Sequence, residues 1–283
     1  MSTGKVLKPR PYWHVDAKWL TGILLLFLLN ITFLVFILVQ VTAPEQGIAL
    51  LTMTLASSFS AESGGLDAAG DIEIMRQKIA EAPNGEFQPI PGMKIIVREE
   101  DIAGKTPREA RLWFFRQWAE PLYYDGAQGL VSLTTDPEMD KNISEGVGPL
   151  TLVSAKSHSK LQRALAISGL ASLVFLVLLI FFSYRFGRLG SPGCTIFLAA
   201  IPGLILLGGV RGWLEQSAQN SGAVGEETYV TRYAQLAVDV LPDIVQRAMQ
   251  IYVFLIFLGL VLMLAALIGA VFVRERKNKE PAA

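Results

Sequence analysis

Four stretches of the chain are almost wholly apolar, and polar segments of unequal length separate them. They cover residues 19–41, 165–184, 194–210 and 251–273. The first has no charged side chain in 23 residues, and a helix rising about 1.5 Å per residue crosses a hydrocarbon core of roughly 30 Å over that length. The pattern therefore predicts four transmembrane helices. The first stretch is also longer than the apolar region of a signal peptide, about 7–15 residues, so we expect it to be retained.

Charged residues are unevenly distributed around these helices, and the bias indicates an orientation. Segments 1–18, 185–193 and 274–283 carry 10 Lys or Arg against 3 Asp or Glu, whereas segments 42–164 and 211–250 carry 15 Lys or Arg against 22 Asp or Glu. Lys and Arg accumulate on the cytoplasmic side of membrane proteins. We therefore expect both termini in the cytoplasm and residues 42–164 on the far side.

The long segment between the first two apolar stretches has the signals of a small folded domain. Residues 106–109, Thr-Pro-Arg-Glu, combine an N-cap, a proline in the first turn and a glutamate three residues after the cap. They predict a helix over 107–120, which Pro121 ends or kinks. Short apolar or β-branched runs predict strands at 93–98, 130–134 and 149–153.

An apolar stretch at 47–61 is too short to cross a membrane comfortably. It predicts an outer helix that is either interfacial or packed on the domain. The segment 66–153 holds its own helices, strands and apolar positions, so we expect it to fold by itself without a disulfide.

Together these patterns predict a membrane all-α bundle of four transmembrane helices, with a small extracytoplasmic α+β domain inserted between the first and second spans. The expected segments, in chain order, are a cytoplasmic N-terminal segment 1–18, a first helix 19–41, an extracytoplasmic domain 42–164, a second helix 165–184, a cytoplasmic turn 185–193, a third helix 194–210, an extracytoplasmic loop and helix 211–250, a fourth helix 251–273 and a cytoplasmic tail 274–283.

Composition supports a membrane protein and supplies little catalytic chemistry. Hydrophobic residues make up 52% of the chain, which is typical of a membrane protein. The formal net charge is zero, so the overall charge does not suggest a nucleic-acid partner. Cys194 is the single cysteine, and the histidines His14 and His158 fall on opposite sides of the membrane. A dyad of His14 and Cys194 lacks a third, orienting group. We expect no enzyme activity and no cofactor. The predicted extracytoplasmic segments contain no cysteine and therefore no disulfide, which favours a prokaryotic plasma membrane.

Two sets of residues stand out as candidates for contacts. The predicted helix over 107–120 carries a wide aromatic arc, whose members are Trp113, Phe114, Phe115 and Trp118. Phe115 lies off the main apolar stripe, so its edge either remains partly exposed as a partner-binding surface or is buried within the domain. Small or polar residues inside the spans predict close helix packing, namely Asn30, Ser168, Ser172, Gly203 and Gly269.

Two further motifs admit alternatives. Pro202 and Gly203 in the short third span are found both in the broken helices of transporters and in ordinary spans. Oxygen-bearing side chains at alternate positions of 136–144 match a calcium loop incompletely, because Lys141 and Val147 occupy the places of its glycine and glutamate. A solvated acidic turn is the alternative.

These observations predict a polytopic membrane protein that acts as a non-catalytic accessory, scaffold or sensor subunit. Its expected partners are the lipid bilayer and other membrane or envelope proteins. The alternative is a permease-like subunit of a transport complex, by analogy of topology alone. Such a subunit needs a cytoplasmic coupling segment, and the nine residues of 185–193 are few for that purpose.

Overall fold

The computed structural model describes residues 13–58, 70–220 and 229–279, and 83% of these residues are helical. Predictions for 1–12, 59–69, 221–228 and 280–283 lie outside the described residues. The first half of the chain forms α1 (Trp13–Val41), α2 (Pro44–Ser58), α3 (Gly70–Glu81), β1 (Glu86–Phe87), β2 (Val97–Arg98), α4 (Glu99–Ile102) and α5 (Pro107–Asp125). The second half forms α6 (Ala127–Val131), α7 (Pro137–Gly146), a 3-10 helix (Gly148–Leu152), α8 (Ala155–Phe182), α9 (Gly187–Asn220) and α10 (Tyr229–Lys279).

The predicted set of four helices long and apolar enough to cross a membrane is confirmed. The candidate spans are Trp13–Val41, Ala155–Phe182, Gly187–Trp213 and Ile244–Phe272. Large apolar side chains on these helices are open to the surroundings, with Phe27, Ile167 and Leu206 between 61% and 70% exposed. Apolar patches of that extent are rare on proteins dissolved in water, and they fit a multi-pass membrane protein.

The third span differs from its prediction at both of its proline sites. Helix α9 begins at Gly187, so the turn predicted at 185–193 is reduced to residues 183–186, and Pro192 lies inside the helix. The helix also continues through Pro202, so the broken-helix interpretation is wrong. Proline removes one backbone hydrogen bond, a loss that membrane helices tolerate when neighbouring helices pack against them.

The chain divides into two compact units. The first unit comprises Met1–Phe36, Arg163–Gly209 and Gln246–Ala283, and the second comprises Ile37–Gln162 and Val210–Val245.

Helix α2 lies in the core of the second unit, where it packs along α5. Its buried face includes Ile48, Leu51 and Leu55, each at most 7% exposed. The packed alternative for this helix is therefore confirmed over its described length. Folding of 66–153 by itself stays a prediction, but because that segment lacks the α2 face on which α5 rests, we expect it to need α2.

Sheet structure in the described residues is limited to one antiparallel pair, with Glu86 opposite Arg98 and Phe87 opposite Val97. Met93 makes an isolated bridge to Thr134. The strands predicted at 130–134 and 149–153 are wrong: in the first region α6 ends at Val131 and a turn follows before the bridge at Thr134, and the 3-10 helix occupies most of the second. The second unit is thus mainly helical with a two-stranded sheet.

Candidate functional sites

The aromatic arc of α5 is buried within the second unit. Phe114, Phe115 and Trp118 are 6–7% exposed, and their rings contact one another with centroids 5.2–5.8 Å apart. Of the two alternatives for Phe115, the structure shows burial within the domain, because α2, α3 and α6 all pack against α5 and together cover a wide arc. Trp113 is only half-buried, with the Lys105 ammonium 5.7 Å from its ring centroid. As a group, these four residues do not form an exposed binding surface.

A hydrogen-bonded network joins the end of α1 to α5 and α8 in the second unit. The Tyr123 hydroxyl donates to the Thr42 carbonyl at 2.8 Å, and the Thr42 hydroxyl donates to the Leu38 carbonyl at 2.8 Å. His158 Nδ1 lies 3.2 Å from the same Thr42 hydroxyl, and its Nε2 lies 2.9 Å from the amide nitrogen of Gln162. All four bonds are satisfied by a neutral imidazole with its proton on Nδ1.

Tyr123 is also the residue around which this network packs. Its side chain is 0% exposed, and burial raises the pKa of its phenol above the usual 10.0. The phenol therefore keeps its proton and continues to donate to Thr42 at physiological pH. Gly47 of α2 lies directly against the ring, since a Cβ at that position would be 2.7 Å from Tyr123 Cε2. Apart from its aromatic character, nothing in the local sequence pattern marks Tyr123 as important.

Three of the five predicted packing residues lie at helix contacts within the first unit. A Cβ on Gly203 would be 2.2 Å from the Tyr252 ring, and one on Gly269 would be 2.4 Å from the Phe186 ring. The Ser172 hydroxyl is 3.2 Å from the Thr32 hydroxyl on α1.

The other two predicted packing residues bond within their own helices. The Asn30 amide donates to the Leu26 carbonyl at 2.9 Å, and the Ser168 hydroxyl donates to the Leu165 carbonyl at 3.2 Å. The hydrogen bond described for Asn30 therefore stays within α1 and does not link two helices as predicted.

A pair of glycines that the spacing pattern did not predict brings α9 and α10 together. A Cβ on Gly193 would lie 2.9 Å from the Gly259 carbonyl oxygen, and one on Gly259 would lie 2.8 Å from the Gly193 carbonyl oxygen. Backbones approach this closely only where both residues lack a side chain. Gly193 was expected in a turn, and Gly259 has no small residue four positions away, so the spacing pattern could not reveal the pair.

A cavity of about 500 Å³ opens within the first unit, between α1, α8, α9 and α10. Lys18, Trp19 and Gly22 line it from α1, and Cys194 and Leu198 line it from α9. Its size lies in the range of about 300–1,000 Å³ that is typical of small-molecule sites.

A cleft of about 560 Å³ lies on the second unit between α3, α4 and the loop that leads into α5. Ile79 and Ile102, 2% and 1% exposed, form its apolar floor. Arg76 and Lys105 stand at its rim, and the Arg76 guanidinium donates to the Lys105 carbonyl at 2.9 Å.

The segment 136–144, considered either as an incomplete calcium loop or as a solvated acidic turn, is a helix instead. Helix α7 begins after Asp136, whose carboxylate accepts from the Glu138 backbone N–H at 3.0 Å as an N-cap. The Thr134 hydroxyl donates to the Asp140 carboxylate. Alternate residues of a helix point in different directions, so the spacing that a calcium loop uses does not converge here. Over residues 13–58, 70–220 and 229–279, no three His, Cys, Asp or Glu side chains are grouped to hold a metal ion.

His14 and Cys194, which were considered above as a possible dyad, have separate surroundings. His14 stacks on Trp13 with ring centroids 3.7 Å apart and lies 6.1 Å from the Phe182 ring. Cys194 lines the first-unit cavity, of which His14 is not a lining residue.

Comparisons of the chain with protein-family models, with curated proteins and with solved structures gave no match.

Proposed function

We propose that this chain is a multi-pass protein of a prokaryotic plasma membrane and serves as a non-catalytic accessory, scaffold or sensor subunit. Both termini are cytoplasmic, and the domain between the first and second spans is extracytoplasmic and binds a membrane or envelope protein. The charge distribution supports the orientation, with 10 basic and 3 acidic residues in the cytoplasmic segments. Helices dominate the domain, and its sheet has two strands.

The observation that carries the proposal is the cleft between α3 and α4. An apolar floor beneath a charged rim is the usual anatomy of a protein interface, in which buried anchors fill a pocket and polar groups surround it. Ile79 and Ile102 supply the floor, while Arg76 and Glu99 line the cleft from either side. This cleft replaces the α5 aromatic arc as the partner surface, since the arc is needed for the domain core.

The accessory role is favoured over the permease alternative by the connection between the second and third spans. Only residues 183–186 separate α8 from α9. A permease coupled to an ATPase through that connection needs a cytoplasmic segment long enough to dock on it, and four residues cannot form a helical turn and its flanks.

A site-specific photocrosslinker tests the proposed surface in the organism of origin. It is introduced at Ala103, an exposed residue that lines the cleft, and, as a matched control, at Ile74, which is 54% exposed on α3 but does not line it. We expect one discrete adduct with a membrane or envelope protein from position 103 and none from position 74. Adding Ala80→Trp, which places an indole in the cleft, should abolish the adduct.

The opposite pattern contradicts the proposal. If position 103 gives no adduct, or if both positions give the same adducts, the cleft is not a partner site. An adduct that survives Ala80→Trp places the contact elsewhere.

A further inference from the structure

The first-unit cavity changes from polar to apolar along its length. Lys18 lines one end, and Leu26 lines the other, eight residues further along α1. At about 1.5 Å per residue these positions are about 12 Å apart along the helix. The hydrocarbon of one leaflet is roughly 15 Å deep, half of the roughly 30 Å core, so the cavity spans most of one leaflet.

The polar end carries the positive charge of Lys18, for which the described residues supply no carboxylate partner. Two further cations, Arg185 and Arg188, flank the lining residues Phe186 and Gly187 at the start of α9. Cations between membrane helices at the level of the headgroups attract anionic lipids.

The remainder of the cavity suits a hydrocarbon chain. Leu26, Leu179 and Leu198 line it together with Ala266. Water gains few hydrogen bonds in such a slot at membrane depth, whereas an acyl chain fills it at little cost.

We propose that this cavity binds one anionic phospholipid, with its phosphate beside Lys18 and one acyl chain lying along Leu26 and Leu198. The proposal requires the four helices to lie in a bilayer. It does not depend on partner binding or on which face of the membrane is cytoplasmic. Purified protein in detergent, with added lipid and no partner, is enough to test it.

Native mass spectrometry of the full chain in mild detergent tests the preference. The added lipids are dioleoyl phosphatidylglycerol and dioleoyl phosphatidylcholine, which share acyl chains and differ in charge. We expect one phosphatidylglycerol to bind about fivefold more tightly than phosphatidylcholine, the effect of one cation beside an anionic headgroup. Lys18→Gln should lower this preference, and an unchanged preference would overturn the placement of the phosphate beside Lys18. Arg163→Gln, about 24 Å from Leu179 along α8, should keep the preference.

Filling the cavity tests its location. A Cβ on Gly22 would meet Leu179 Cδ1 only at 3.7 Å, so Gly22→Leu enters the slot without a backbone clash. It should abolish retention of either lipid. Gly208→Leu is the matched control, since no atom lies within 4 Å of a Cβ there, and it should bind lipid as the unchanged protein does.

Alkylation of Cys194 gives a second measurement that needs no variant, because it is the chain's single cysteine and it lines the cavity. Phosphatidylglycerol should slow its reaction with N-ethylmaleimide more than phosphatidylcholine does, and inorganic phosphate should have no effect. Equal retention and equal protection by the two lipids would overturn the proposal. So would lipid retention by Gly22→Leu, or protection by inorganic phosphate as strong as that by phosphatidylglycerol.

Discussion

Replacing Gly47 with alanine tests whether Tyr123 locks α2 to α5. The new methyl group would lie 2.7 Å from Tyr123 Cε2, 3.1 Å from its Cδ2 and 3.4 Å from the Thr42 carbonyl oxygen. The ring cannot swing away freely, because it is completely buried and its hydroxyl is held by Thr42. Either α2 must shift or the Tyr123–Thr42 hydrogen bond must lengthen.

Two opposing effects set the size of the change. Alanine is favoured over glycine inside a helix by about 1 kcal/mol, whereas forcing an extra methyl group into a packed core costs about 1–3 kcal/mol. Gly146→Ala is the matched control, since no atom lies within 4 Å of a Cβ at that helical position. We expect Gly47→Ala to be less stable than this control by about 1–3 kcal/mol.

Hydrogen exchange of the detergent-solubilised protein, read by mass spectrometry on α2 and α5 peptides, measures the local free energy of opening. Protection of these peptides should fall about fivefold or more in Gly47→Ala relative to the control. In a background of Tyr123→Leu, which lacks the Cε2 atom, the Gly47→Ala penalty should shrink or disappear. Equal protection in the two glycine variants, or a penalty unchanged by Tyr123→Leu, would refute the proposed lock.

Three further predictions concern the rest of the fold. A fragment of residues 44–154 should unfold cooperatively in circular dichroism, whereas a fragment of residues 66–154 should not. The reason is that burial of the three large α2 residues in the core contributes roughly 5–9 kcal/mol, which is about the whole stability of a domain. Hydrogen bonds from the Thr106 backbone and hydroxyl lower the pKa of Glu109 below 4.5. The contribution of Glu109 to folding stability is therefore complete above that pH and is lost as the pH falls through the lowered pKa. Glu109→Gln should flatten this acid dependence of stability in denaturant titrations. Gly203→Ala should lower the thermal midpoint in detergent while Gly208→Ala does not, because only the first places a methyl group against the Tyr252 ring.

The apolar helices were predictable from the sequence because length and hydropathy alone define them. The start of α5 was equally clear: the Thr106 hydroxyl accepts from the Glu109 N–H at 3.3 Å and the Glu109 carboxylate accepts from the Thr106 N–H at 2.8 Å, as the capping pattern requires. Its end was not. The helix passes Pro121 and continues to Asp125 because Leu122 and Tyr123 become fully buried, which outweighs one lost backbone bond.

The strand predictions failed for reasons that a local pattern does not contain. In the β-branched run at 93–98, only the last two residues pair with β1, and Met93 makes just an isolated bridge. The segment facing the run soon reaches Pro89 and Pro91, which have no backbone N–H to donate. After α5, Gly126 adopts φ +64° and turns the chain into α6, where Gly129 lies against the Pro121 carbonyl. A short apolar run gives no periodicity that separates a strand from such a helix.

The candidate sites were harder to foresee than the elements. The cleft and the first-unit cavity are each assembled from several segments of the chain, so no local motif marks them. The aromatic arc of α5 was visible in the sequence, but its burial depends on α2, whose packing the sequence left open. Lys18 was counted only as one of the cytoplasmic charges, although it also lines the cavity.

The most direct test of the account is the membrane topology, because both the extracytoplasmic domain and its partner surface depend on it. With Cys194→Ala as background, single cysteines replace Ser2, Ser132, Ser221 and Asn278, and intact cells are treated with a membrane-impermeant maleimide. We expect labelling at 132 and 221 in intact cells, and labelling at 2 and 278 only after the membrane is permeabilised. Labelling at 2 or 278 in intact cells, or protection of 132 until permeabilisation, would contradict this topology.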